Sequence, residues 1–383
     1  MAGLYVHVPF CLKRCIYCDF YSGTRMEEYK DGYISALIRE MEMRRDYLCG
    51  ETVNTVYFGG GTPSQLEIYD FERLFDVMYR LFPFPRNPEI TVEANPDDLS
   101  DEYVFSLTRL PFNRISIGIQ SFSDEDLRLL NRRHTAVDAA KAVSRCKDAG
   151  FDNISIDLIY GLPGQTADRW SDNIERAVML DVSHISAYHL TYEEGTLIDE
   201  MRKRGDIHPV EDELCESFFY MLIDKLADAG FIHYEISNFA KISPSYPDGR
   251  ISIHNSSYWK GIHYMGIGPS AHSYNGDSRS WNVSSVSEYI REINGKGEIP
   301  CETEYPDERM KYNDFVITRL RTMWGVSPDE LRKEFGEERM CWFLKKSESF
   351  LCSKKLKIEG GYVKIAQKGF FISDMIMREL IVI

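Results

Sequence analysis

The sequence lacks any run of residues long and apolar enough to cross a bilayer, which excludes an integral membrane protein and leaves peripheral membrane contact open. Its first residues, MAGLYVHVPFCLKRC, hold no basic stretch followed by an apolar segment and a small-residue cleavage site. No secretory signal is therefore expected, and a cytoplasmic protein is. Positive charge is in deficit. With 45 Lys and Arg against 60 Asp and Glu, the net charge of -15 repels phosphate backbones and argues against nucleic acid as a partner. Cysteine is too irregular for a disulfide framework. The nine are odd in number, and six of them (Cys49, Cys146, Cys215, Cys301, Cys341 and Cys352) lack metal-like spacing and read as buried or incidental thiols.

What is present reads as a globular α/β protein. Hydrophobic residues at 43% and charged residues at 27% are ordinary, and 383 residues suit one large domain with a smaller companion. From Leu4 to about Leu190, short β-branched runs alternate with helical patterns, as repeated βα units around a parallel sheet require. The strands read as LYVHVP, VNTVYF, EITVEA, RISIGI, NISIDLI and HISAYHL. Counting a helix around Leu214 to Ala229 as the last, six such units predict an open, partial (β/α)6 barrel over residues 1–235. A six-stranded doubly wound sheet is the alternative. Residues 236–304 break the rhythm and read as a loop-rich segment carrying HNSSYW. Residues 305–383 predict a small α+β domain: a helix around Asn313 to Met323, a second begun by Ser327 with Pro328 just inside, a hairpin turning at Glu359-Gly360-Gly361, and a last helix. That order resembles a winged-helix unit.

In such folds the carboxyl ends of the strands share one rim, where ligands bind. The unusual residues collect there: cysteines after the first strand, Gly59-Gly60-Gly61-Thr62-Pro63 after the second, Glu93 near the end of the third, Gln120 ending the fourth, and Asp157 in the fifth. The glycine run lacks the GK[ST] ending of a phosphate loop. Glycines directly after a strand instead let backbone approach a ligand closely. Glu93 and Asp157 sit in apolar strands, where an unpaired carboxylate is costly and a partner is implied.

Cys11, Cys15 and Cys18 place three thiolates on one short loop, enough for three corners of a cubane iron-sulfur cluster. A fully ligated electron carrier wants a fourth cysteine, and the nearest, Cys49, lies beyond a predicted helix. One iron is thus left for an external ligand. A zinc site and a set of reactive thiols are the rival readings. Zinc prefers four ligands, and a disulfide suits the cytosol badly.

The CxxxCxxC spacing resembles the signature of radical S-adenosylmethionine (SAM) proteins. That resemblance implies a [4Fe-4S] cluster whose open iron is chelated by SAM, an electron donor for the cluster, and cleavage of SAM to methionine and a 5'-deoxyadenosyl radical. It extends further. YVHVPFCLKRCIYCDF, YFGGGTPS, TVEANPDD, RISIGIQSFSDEDLRLLNRRH and ISIDLIYGLPGQT resemble, in this order, the group of oxygen-independent coproporphyrinogen oxidases and HemW-type heme chaperones. On that resemblance Tyr5, Gly60, Gly61, Thr62, Glu93, Gln120, Arg132 and Asp157 match positions that contact SAM. Arg132, in LNRRH, also reads as part of a solvated helix end.

Within that group three features resemble the chaperones more than the oxidases. Asp19-Phe20 stand where the oxidases carry a further cysteine, the first strand begins by Leu4 with no preceding extension, and His254-Asn255-Ser256-Ser257-Tyr258-Trp259 fits the HNxxYW motif. The resemblance implies heme as ligand, His254 as a heme contact, and acceptor hemoproteins as partners. His263 and His272 are rival ligands, and a packed, hydrogen-bonded histidine is the plain alternative. Porphyrinogen decarboxylation is the second function carried forward. The third is nucleic-acid regulation through Lys345-Lys346, Lys354-Lys355 and Lys357, opposed by the net charge.

Overall fold

Each of the first six β-branched runs forms a parallel strand hydrogen-bonded to its neighbour in sequence, in a computed structural model that describes residues 1–24 and 26–382. They are β1 (Ala2–Val8), β2 (Val53–Gly60), β3 (Glu89–Ala94), β4 (Arg114–Gln120), β5 (Ile154–Tyr160) and β6 (His184–His189). Because the order β1-β2-β3-β4-β5-β6 never reverses, the sheet has no switch point and is not doubly wound. It curls one way, as a partial barrel does. Crossover helices cover the outside. On the first, Lys30–Met43, the residues Tyr33, Ile34, Leu37 and Met41 share one face at helical spacing and are fully buried.

Residues 236–304 depart from their loop-rich reading. After β7 (Phe231–Glu235), this segment supplies β8 (Asn238–Lys241), β9 (His263–Ile267), β10 (His272–Tyr274), β11 (Arg279–Asn282) and β12 (Cys301–Glu304). β8 adds antiparallel to β6, and β9 adds parallel to β1, so one segment lengthens the sheet at both edges, to twelve strands. These strands are only three to five residues long and mix polar with apolar positions. Pairing partners rather than local propensity make them strands, so periodicity does not reveal them.

The C-terminal unit holds the expected order of elements: helices Glu308–Leu320 and Pro328–Cys352, the hairpin β13 (Leu356–Glu359) and β14 (Tyr362–Ile365), and the helix Ser373–Leu380. Ser327 caps the second helix by accepting from Glu330 N, and Gly336, at φ 85° and ψ 169°, breaks that helix in two. The unit has its own apolar core of Tyr312, Val316, Leu331, Phe343, Val363 and their neighbours.

One buried carboxylate ties the added strands to the first crossover helix. Glu40 Oε1 accepts from Arg44 Nη1 at 3.0 Å and Asn282 Nδ2 at 2.8 Å, and Oε2 accepts from Gly268 N at 2.9 Å and Tyr289 Oη at 2.6 Å. Replacing it leaves several buried donors unpaired. Glu40→Leu is expected to lower unfolding stability by about 3 kcal/mol, read from the urea midpoint. An unchanged midpoint would show that these donors find other partners.

Candidate functional site

The cysteine loop leaves the carboxyl end of β1 and is held on several sides before any ligand is considered. Cys11 N donates to Gly23 O at 3.0 Å, and Cys11 Sγ lies 3.4 Å from Thr62 Oγ1, just beyond β2. Arg132 Nη1 donates to Cys15 Sγ at 3.2 Å, while Nη2 donates to Asn95 Oδ1 and Gly118 O, each at 2.6 Å. Asn95 Nδ2 in turn donates to Thr62 Oγ1 at 3.3 Å. A single polar chain, Cys11–Thr62–Asn95–Arg132–Cys15, therefore crosses the mouth over the ends of β2, β3 and β4. Between the thiols, Ile16 packs into a small apolar cluster with Leu130, Ile159, Leu162, Leu190, Ile198 and Ile207, and Ile16 O accepts from Ile198 N at 2.9 Å. The loop is clamped by apolar packing below and hydrogen bonds beside it.

All three cysteines are free and partly exposed. Burial raises the Cys11 thiol above its ordinary pKa and pushes Cys18 up to about 11. Both keep their protons at neutral pH unless a metal takes the proton's place. Three corners of a cubane bind three different irons, so the thiols need neighbouring positions on one loop rather than a common point.

The rim beside them is cut close. Gly60 has φ +108°, and a Cβ there would sit 2.7 Å from the His7 ring. A Cβ at Gly61 would lie 2.9 Å from both Val8 O and Phe10 O. Side chains are excluded at both positions by the turn and by contact with the root of the cysteine loop. Gln120 holds a left-handed φ of 70° at a bulge in the β4–β5 register, a strained placement that turns its side chain back over Gly118.

Inside the barrel, Glu93 accepts from Tyr57 Oη at 2.6 Å and from Gly60 N at 3.3 Å. Burial pushes its pKa up to about 7 even so. Asp157 is raised to about 6 by the same desolvation, against the pull of Ser186 and Arg114. Two incompletely neutralised carboxyl groups below a mouth of close-approaching backbone form a cradle for a ligand that brings positive charge or hydroxyl donors. Tyr5 Oη lies 3.1 Å from His7 Nδ1, and its ring stands 6.3 Å from Tyr57, on the same inner face. Tyr5, Gly60, Gly61, Thr62, Glu93, Gln120, Arg132 and Asp157 thus share one mouth with the cysteines. Arg132 is not a solvated helix end; its guanidinium is bound to Cys15, Asn95 and Gly118.

His254 lies elsewhere. It sits on the helix Ile253–Trp259, is 2% exposed, and has Nδ1 2.8 Å from Thr55 Oγ1 and Nε2 2.8 Å from Tyr258 Oη. Both ring nitrogens are engaged, and burial pushes the pKa down to about 3, so the ring is neutral. Thr55 lies near the amino end of β2 and Thr62 beyond its carboxyl end, which separates the histidine from the cysteine loop by roughly 20 Å at about 3.3 Å per strand residue. The HNSSYW helix plugs the floor of the barrel. His263 is paired with Glu51 at 2.5 Å, and His272 is exposed beside Trp281.

Several site residues are not evident from sequence. Tyr57 joins Glu93 by a hydrogen bond and stacks on His254 at 5.0 Å, and Asn95 joins Thr62 to Arg132. Arg114 is a 1% exposed cation inside the barrel whose Nε lacks a partner among the described residues. The period-2 alternation of β2 and β4 places Tyr57 and Arg114 on the inner face; their partners follow only from folding.

Residues 5–177 match the radical SAM superfamily. The chain is 35% identical to the heme chaperone HemW of Bacillus subtilis (strain 168), covering 88% of this chain and 87% of that protein. It is 34% identical to the mouse mitochondrial radical S-adenosyl methionine domain-containing protein 1, over 99% of this chain and 87% of that one. In fold it is similar to the coproporphyrinogen III oxidase HemN of Escherichia coli, a radical SAM enzyme. That similarity has a TM-score of 0.85 at 22% identity and covers all of this chain and 90% of the other.

The two raised carboxyls set a pH dependence. Glu93 rises from 4.5 to about 7 and Asp157 from 3.8 to about 6 on folding, so between those values the folded state binds more protons. Their stabilisation is present at low pH and lost as pH rises through the folded pKa values. Ligand-free Glu93→Gln is expected to melt above the parent by a margin that widens from about pH 5 to about pH 8. Parallel melting curves would show that Glu93 is not protonated on folding.

Proposed function

This chain belongs to the HemW family of heme chaperones within the radical SAM superfamily, and from that premise we propose that it holds a [4Fe-4S] cluster, binds SAM beside it, and carries heme to acceptor hemoproteins. The observation that carries the cofactor part is the polar chain across the mouth. Two of three free thiols on one loop already touch rim residues, Cys11 at Thr62 and Cys15 at Arg132.

When bound, a cluster with one iron unfilled by cysteine supplies a chelation point for the amino and carboxylate groups of SAM and an electron for its cleavage. Cys11, Cys15 and Cys18 hold the other irons. Arg132 places a fixed positive charge against Cys15. Thr62 and Asn95 keep Cys11 and Arg132 at their stations. Gly60 and Gly61 let backbone come close to the amino acid end of SAM, and Glu93, Asp157 and Gln120 offer acceptors to its ammonium and ribose groups. Tyr5 walls the same chamber.

The heme part follows from family membership. For His254 to ligate heme iron, Nε2 must exchange Tyr258 Oη for the metal, and heme titration of His254→Ala tests this directly. Unchanged affinity and spectrum remove His254 from the account. The C-terminal unit is read as a docking module. Lys357 and Lys364 share Glu359, at 3.0 and 3.3 Å, and the net charge of -15 opposes a phosphate backbone. No described helix is long and apolar enough to cross a membrane.

Anaerobically reconstituted protein is expected to show the visible absorption of an iron-sulfur cluster, perturbed by SAM, and a separate heme spectrum on titration. Cys15→Ala is expected to lose bound iron and SAM while keeping its far-ultraviolet circular dichroism. Full retention of iron by that variant excludes the cysteine loop. Robust release of carbon dioxide from coproporphyrinogen would replace the chaperone reading with the oxidase one.

A further inference from the structure

A single file of aromatic rings runs from the chamber at the mouth to the opposite end of the barrel. Tyr5 and Tyr57, paired in register on β1 and β2, stack with ring centroids 6.3 Å apart. Tyr57 stacks on His254 at 5.0 Å, His254 meets Tyr258 edge-on at 5.1 Å, and Tyr258 meets Tyr264 of β9 at 4.7 Å. Tyr274 of β10 follows at 6.5 Å. Tyr57 is bonded to Glu93 in the cradle, whereas Tyr264 and Tyr274 are only half-buried, so the row joins the chamber to solvent on the far side.

The inner phenols of this row each touch a base. Tyr5 Oη lies 3.1 Å from His7 Nδ1, and His7 Nε2 lies 2.8 Å from Tyr21 O. Burial keeps the His7 ring neutral, and a carbonyl only accepts, so the ring's one proton is on Nε2 and the phenol donates to Nδ1. Tyr57 donates to Glu93 at 2.6 Å, and Tyr258 Oη lies 2.8 Å from Nε2 of the neutral His254. A phenol gives up an electron readily only where a positioned base takes its proton in the same step. Phenylalanine would pack the same rings; the hydroxyls add a proton acceptor at every inner position.

Resting on the reading that a radical cofactor occupies the mouth, we propose that this row carries single oxidising equivalents out of the chamber to solvent at the other end. A one-electron oxidant in the chamber takes an electron from Tyr57, whose proton passes to the Glu93 carboxylate. An electron from Tyr258 refills Tyr57, the proton returns from Glu93, and the Tyr258 proton passes to His254 Nε2. A one-electron reductant of the thiol or ascorbate class in solvent restores Tyr258 through the Tyr264 ring, and His254 returns its proton. The oxidant gains one electron, the reductant loses one, and the row is unchanged. A radical that finds no substrate is thereby spent on a solvent reductant and not on the cysteine loop.

The test delivers an oxidant to the mouth without cluster or SAM. A ruthenium tris-bipyridine photo-oxidant is attached to Cys15 of the full chain, with Cys11, Cys18, Cys49, Cys301, Cys341 and Cys352 each replaced by serine so that no other accessible thiol competes. Tyr264 is replaced by 3-aminotyrosine as a radical trap. After a flash with a cobalt(III) quencher, the aminotyrosyl absorption and its electron paramagnetic resonance signal are expected to appear, and to rise more slowly in heavy water. Tyr57→Phe and Tyr258→Phe, which keep the rings, are expected to lose the signal. Tyr234→Phe, which removes a buried phenol bonded to His184 off the row, is expected to keep it. Far-ultraviolet circular dichroism checks that each variant is folded. No signal from the parent, or a full signal from both row variants, overturns the conduit and leaves the cofactor reading standing. Equal rates in light and heavy water overturn the proton transfers on which it depends. A chain that takes up no cluster on reconstitution overturns that reading and the role of the conduit together.

Discussion

A parallel sheet wound one way encloses an interior, and this one places carboxyl groups there that the protein itself does not neutralise. Glu93 and Asp157 are desolvated to the point that their pKa values reach about 7 and about 6, and Arg114, the buried cation beneath them, leaves its Nε unpaired among the described residues. The mouth is arranged around that imbalance. Gly60 lends its N–H to Glu93, Arg132 bridges β3 and β4 to the cysteine loop, and Gln120 takes a strained backbone to turn over the same space. An interior that costs stability when empty is one that a cationic ligand stabilises by binding.

The floor of the barrel is built differently. There the two buried imidazoles have both ring nitrogens engaged: His254 between Thr55 and Tyr258, and His184 between Ser155 Oγ at 2.7 Å and Tyr234 Oη at 2.8 Å. Neutral imidazoles with both nitrogens engaged rigidify a floor and do not offer themselves to a metal. The C-terminal unit is tied to the edge strand β7 and the turn after it through backbone bonds, Met323 N to Tyr234 O at 2.9 Å and Ile236 N to Arg321 O at 3.1 Å, and borders a cleft beside the HNSSYW helix.

Much of this was legible in the linear chain where a local rule applies. Six β-branched runs with crossover-length spacers predicted the parallel strands, and Ser327-Pro328 and Glu359-Gly360-Gly361 marked a helix start and a hairpin that the structure contains. The rim residues were legible because the carboxyl ends of parallel strands share one side. The five short strands of 236–304 were not, since their pairing depends on edges exposed by distant residues. Arg132 could not be assigned either: a charged residue after a helix looks solvated until a cysteine from the other side of the barrel is folded against it.

The order of the residues by itself determined the strand and helix pattern, the spacing of Cys11, Cys15 and Cys18, and the family to which those motifs point, because each depends on neighbours within a few positions. Only the tertiary structure decided that Arg132 serves the cysteine loop, that Tyr57 couples Glu93 to His254, and that the HNSSYW helix lies at the opposite end of the barrel from the cysteines. Those are contacts between residues tens to hundreds of positions apart. Their geometry is set by the winding of the sheet, which no local pattern encodes.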